Sequence, residues 1–86
     1  MTELIRNQIG KIMYRALKHK YEGDILSSKA SLMIYYTNAV GIGEHPQHLE
    51  EMNGLIEKMA AAKDNLEALE EHTPDSIKAT ATLISK

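Results

Sequence analysis

The sequence predicts an all-α protein: an antiparallel, coiled-coil-like helical hairpin with a short third helix at its C-terminal end, assembling into a helical-bundle oligomer. Three observations carry that prediction. Apolar residues recur at alternating spacings of four and three over most of the chain, which is the pattern of a helix face that packs along another helix. The pattern is interrupted by one stretch, Asn38-Ala39-Val40-Gly41-Ile42-Gly43-Glu44-His45-Pro46, that holds two glycines and a proline. Only Leu32-Met33-Ile34-Tyr35-Tyr36 has the composition of a strand, and nothing else in the chain offers it a strand to pair with.

The chain of 86 residues is the size of one small domain, read as a single helical unit over 1–86. A domain of this length buries only about 60–65% of the surface its unfolded chain exposes, so its stability is marginal without support. Cysteine is absent, which removes disulfides, thiolate metal sites and thiol redox chemistry from consideration. That composition is compatible with a reducing cytoplasm. Phe and Trp are absent as well, and the core must be built from Ile, Leu, Met, Ala and Tyr. There is no signal-peptide h-region, and no apolar run approaches the ~20 residues that cross a bilayer. Oligomerisation is the remaining common way for such a chain to bury more surface.

The first helix is expected over about 3–38, capped by Thr2 with Glu3 in its first turn. A four-three repeat runs through Ile5, Ile9, Ile12, Ala16, His19, Gly23, Leu26, Ala30, Met33 and Thr37 and keeps its phase across Gly23. A glycine costs a helix about 1 kcal/mol relative to alanine, less than ten in-phase positions supply. Two shorter helices joined at Gly23-Asp24 are the alternative. Between 25 and 36 apolar residues occupy more than one stripe, which implies a second contact surface beyond the hairpin partner.

The corner is assigned to 39–45. Gly41 and Gly43 supply positions where φ can turn positive, and Pro46 suits the first position of the next helix. The second helix, about 46–72, carries Leu49, Met52, Ile56, Met59, Lys63 and Leu66 at three-four spacing, flanked by Leu55, Ala62 and Leu69. Thr73 and Pro74 then form a cap and first turn for a third helix at about 75–85, with Ile77, Ala81 and Ile84 on one face.

A hairpin cornered near residue 42 pairs residues whose numbers add to about 84, setting Met33 against Met52 and Leu26 near Met59. It also brings two charged segments together. Residues 1–21 hold five basic side chains against Glu3, and residues 44–71 hold eight acidic ones against Lys58 and Lys63. The asymmetry is therefore largely internal. The second helix ends opposite residue 13 or so, leaving the stripe Leu4, Ile5, Ile9 and Ile12 to be covered by the third helix or by another copy of the chain. Ile5, Ile9 and Ile12, with Leu32, Ile34 and Tyr35, form the candidate self-association surface of a homo-oligomer, a dimer being favoured because closed two-fold dimers are the commonest homo-oligomers.

Glu44, His45, His48 and Glu51 are the residues with most metal-like spacing. His45 precedes Pro46 and falls outside the helix, so the group reads as capping and solvated side chains, and no metal or cofactor is assigned. The basic first helix, with Tyr14 and Tyr21 interleaved, is the one feature that suits nucleic acid, but its acidic partner helix and a pI near 6.0 argue against a dedicated nucleic-acid domain. No phosphate loop or nucleophile–base constellation appears, and the chain is read as a non-enzyme.

The segment from Ser28 to Leu69, with the corner motif N-x-V-G-I-G-E-H-P at 38–46 as its most specific part, resembles small uncharacterised helical proteins of T4-like tailed phages of marine bacteria. The resemblance covers about half the chain and implies a viral origin and a small helical form. It transfers no functional residue. Together these readings give a phage-encoded protein-interaction or assembly component. It would reside in the host cytoplasm or the virion, with a host or phage protein as possible partner and no membrane association.

Overall fold

In the computed structural model, residues 2–42 and 47–78 are described, with side chains over 4–37 and 47–78. Two helices account for nearly all of them: α1, Thr2–Ile42, and α2, His48–His72. They pack antiparallel as a hairpin measuring 60 × 22 × 16 Å. A helix of 41 residues is about 62 Å long at 1.5 Å per residue, so α1 alone sets the long dimension.

α1 is continuous through Gly23. A Cβ at Gly23 would meet nothing within 4 Å, so close packing does not require the glycine. One local pair spans the weak point, Lys20 bonding Asp24 at 3.1 Å, and His19 approaches Glu22 at 3.6 Å in the turn before it. The helix also runs four residues further than expected. Gly41 lies in its last turn, so the corner starts after Ile42 instead of at 39. One glycine is too small a penalty to end a helix by itself. Gly43 and Pro46 lie outside the described residues.

At the start of α2, the carbonyl of Gln47 accepts the Glu51 amide at 2.9 Å, and the Gln47 side chain makes no cap bond. Glu50 and Glu51 offset this by lying at the positive end of the helix. At the other end, Thr73 is extended (φ −95°, ψ 130°) and its hydroxyl donates back to the Leu69 carbonyl at 2.6 Å. It therefore closes α2 and does not cap the next turn as expected. That role falls to Pro74, whose carbonyl accepts the amides of Ile77 and Lys78 at 3.0 and 3.2 Å. A short third helix follows, its described turn covering 75–78. Ile77 folds onto α1 at Gly10, where a Cβ would stand 3.2 Å from Ile77 Cδ1. Lys78 Nζ fixes the turn by donating to the Glu70 carbonyl at 2.6 Å. Ala81 and Ile84 lie outside the described residues.

The faces in contact differ from those the periodicity favours. The buried and half-buried residues of α1 centre on Tyr14, Lys18, Tyr21, Ile25, Ser28, Leu32 and Tyr35, flanked by half-buried Gly10, Lys11, Arg15, Glu22, Asp24 and Ser31. The central seven form a four-three repeat displaced by two residues from the expected one. Two residues turn a helix by about 200°, so the expected seam points away from α2. Met33 and Leu26, expected to oppose Met52 and Met59, are 53% and 66% exposed. On α2 the inward residues are His48, Met52, Leu55, Met59, Ala62, Leu66, Leu69 and Glu70, with Thr73 following at its end. Leu55, Ala62 and Leu69 replace Leu49, Ile56 and Lys63 beside the shared Met52, Met59 and Leu66. Choosing that flank keeps Lys63 in solvent.

Size explains the choice on α1. Within reach of α2, the inner face offers three tyrosines, Ile25 and Leu32 with Lys18 and Ser28, whereas the outer one offers Leu26 and Met33 among Ala16, His19, Gly23 and Ala30. Large aromatic bodies bury more surface and carry a hydroxyl that can find a partner. Ser28 and Ala62, 1% and 3% exposed, are small enough to let the two backbones approach near the middle of the hairpin.

Candidate interaction surface

Two tyrosines fasten the hairpin near its ends. Tyr14 donates to the Glu70 carboxylate at 2.5 Å, with Lys18 Nζ 4.0 Å from the same oxygen and 6.0 Å from the tyrosine ring. At the corner end, Tyr35 donates to the Glu51 carboxylate and meets His48 edge-on, ring centroids 5.7 Å apart. His48 and Glu51, the helical half of the metal-like group, are thus both engaged with Tyr35. Among the described residues no cluster of three or more potential ligands forms; Glu44 and His45 lie outside them. Both clamps fall in the hairpin register that the corner implies, and the acidic end of α2 lies beside the basic half of α1 as expected.

The clamps have a pH signature. Burial and then the Glu70 carboxylate push the Tyr14 hydroxyl up to about 12 from the ordinary tyrosine value of 10.0; the bond to Glu51 raises Tyr35 as well. The folded state holds the Tyr14 proton more tightly than the unfolded chain does. Its contribution is therefore complete below the unfolded value and is lost as pH rises between about 10 and 12. Denaturant titrations at neutral and strongly alkaline pH should show the wild type losing stability over that window. Tyr14→Phe should be about 1 kcal/mol less stable at neutral pH and lose less on the way up. An unchanged alkaline slope in the variant would remove Tyr14 as the titrating group.

The opposite face of α1 has no partner within the described hairpin. Leu4, Ile5, Ile9, Ile12 and Met13 at one end, and Leu26, Met33, Ile34 and Tyr36 at the other, are all more than half exposed. Ile5, Ile9, Ile12, Ala16, His19, Gly23, Leu26, Ala30 and Met33 form one four-three seam that winds slowly along this side. Of the six residues proposed from sequence for self-association, Ile5, Ile9, Ile12 and Ile34 lie on exposed positions. Leu32 and Tyr35 do not belong with them: Leu32 is 6% exposed and Tyr35 is held by Glu51. α2 takes these two because they continue the phase of Tyr14, Tyr21 and Ile25. Sequence reasoning did not place Leu26, Ala30 and Met33 on the open side; the signal for them was present, but it was assigned to α2.

Between the helices an open groove of about 570 Å³ is lined by Ile25, Met59 and Leu66, with Lys29, Lys63, Glu67 and Glu70 at its margins. A neighbouring hollow formed by Glu22, Ile25 and Leu26 carries this apolar surface round to the outer face. No described helix is long and apolar enough to cross a membrane. Comparison with protein-family models, curated proteins and solved structures finds no match to this chain.

Proposed function

We propose that this chain is a binding protein, not an enzyme: a helical hairpin that acts in an assembly through the outer face of α1. The observation that carries the reading is the seam from Ile5 to Met33, whose large side chains stay exposed after α1 and α2 have packed. Exposed apolar side chains gathered in two groups on one side of a helix, Leu4 to Met13 and Leu26 to Tyr36, mark an interaction site. The inner face is already used for folding, so the two jobs are divided between two sides of one helix.

The resemblance of residues 28–69 to small phage proteins supports a phage-encoded component, either a minor virion part or an effector that engages a host protein, working in the host cytoplasm or the particle. The alternative, a nucleic-acid-associated protein that uses the basic half of α1, is weakened because Lys18 and Lys20 are engaged with Glu70 and Asp24. The test compares what tagged wild type, Ile12→Glu and the exposed control Glu57→Lys retain from infected-cell lysate and purified particles. The reading expects binding partners, copies of the chain included, that Ile12→Glu loses and Glu57→Lys keeps. Identical partners for all three, or a salt-sensitive shift of a labelled duplex by wild type alone, would overturn it.

A further inference from the structure

Resting on that reading of the outer face, we infer that its occupant is a second copy of the chain, docked antiparallel along α1 about a two-fold axis near residue 21. The size pattern along the seam is self-complementary in that arrangement. Antiparallel pairing about residue 21 sets Ile9 against Met33, Ile12 against Ala30, Ala16 against Leu26, and His19 against Gly23. The three central layers thus match a larger side chain with a small one or with glycine, which is how facing positions interdigitate in a packed core. Parallel pairing in register would stack Ala16 on Ala16, Gly23 on Gly23 and Ala30 on Ala30, leaving gaps, and would set His19 on His19.

Charge points the same way. From Thr2 to Tyr21, α1 carries five basic residues against Glu3; from Glu22 to Ile42 it carries Glu22 and Asp24 against Lys29. Antiparallel docking lays the basic half of one copy along the slightly acidic half of the other. Parallel docking lays basic on basic.

Area supports a partner of this size. The chain exposes 6514 Å², whereas a compact monomer of its mass exposes about 5,100 Å². The excess exceeds the ~800 Å² that each partner contributes to a standard stable interface. The chain's residues 79–86 cannot cover the whole seam from Ile5 to Met33. Ile77 is anchored at Gly10, and eight residues reach at most ~29 Å. Met33 lies about 35 Å along the helix from Gly10 at 1.5 Å per residue.

The geometry also sets the shape of the pair. α1 meets α2 on one side and offers its seam on nearly the opposite side, so the four helices would form a flat layer in the order α2, α1, α1 of the partner, α2 of the partner. A square bundle would need the two contact faces of α1 about a quarter-turn apart.

Because the chain contains no cysteine, introduced thiols are the only ones present. Ala16→Cys and Leu26→Cys are prepared separately, mixed, allowed to exchange and mildly oxidised. The inference expects a 16-to-26 disulfide between copies as the dominant product, with little from either variant alone, since like positions lie about 15 Å apart along the axis. Ile9→Cys with Met33→Cys repeats the test should Leu26→Cys weaken the fold. Ready disulfides within each single variant would establish parallel pairing and overturn the inference. A photo-reactive residue at Ala30, introduced in infected cells, separates this failure from that of the broader reading. An adduct of two copies supports the second copy. An adduct with a different protein overturns it but keeps the outer face as an interaction site. No adduct at Ala30 or at Ala16 overturns both.

Discussion

Leu32→Ala is expected to lower the stability of the folded chain by about 2–4 kcal/mol, the usual range for emptying a buried leucine site. Leu32 is among the most buried apolar side chains described, together with Tyr14 and Ala62. It lies on the face of α1 that packs on α2, between Ser28 and the Tyr35 clamp, where a one-layer core offers few side chains to move into the space. For a domain of this size each kcal/mol shifts Tm by about 4–8 °C, so the transition should fall by roughly 10–30 °C. Met33→Ala, one residue away and more than half exposed, should cost the hairpin itself far less. Thermal melts followed by circular dichroism at low concentration compare the two. Equal losses at 32 and 33 would mean that the packed face of α1 has been assigned incorrectly.

The second large effect concerns the outer face and should appear in association, not in folding. Leu26→Glu changes a side chain that the hairpin leaves 66% exposed, so secondary structure should survive. In the antiparallel pair each copy presents Leu26 to Ala16 of its partner, and the change is felt twice. Burial of a leucine contributes about 1.5–3 kcal/mol, so loss of two should raise the dissociation constant by about 10² to 10⁴. Sedimentation of wild type, Leu26→Glu and Glu57→Lys measures it. The account expects dissociation of the first variant alone. A folded Leu26→Glu that sediments like wild type would remove this face from the interface.

The architecture was legible because it depends on coarse signals. Repeats of apolar residues at helical spacing, one glycine–proline interruption and a proline after Thr73 are enough to define two long helices and a following turn. The direction of packing was harder to read. α1 carries two four-three repeats two residues apart, and a count of aliphatic residues favours the one running through Ile5, Ile9 and Ile12. α2 reaches only part of α1, and there the comparison is between Tyr14, Tyr21, Ile25, Leu32 and Tyr35 on one side and Leu26 and Met33 among alanine, histidine and glycine on the other. A tyrosine counts as polar in a periodicity but buries an aromatic ring, and Glu70 and Glu51 at matching register positions were the sequence clue that it would. On α2 the strict three-four repeat through Leu49, Ile56 and Lys63 outweighed the flank of Leu55, Ala62 and Leu69, which placed Lys63 in the core. The apolar excess of the first helix was recognised from its sequence. Its location on the far side from α2 required the structure.

The most direct test of the account is the molar mass of the unmodified chain by light scattering at micromolar concentration, with circular dichroism confirming that the sample is helical. A folded species at twice 9.6 kDa is the predicted result. A folded, helical species at 9.6 kDa would contradict it.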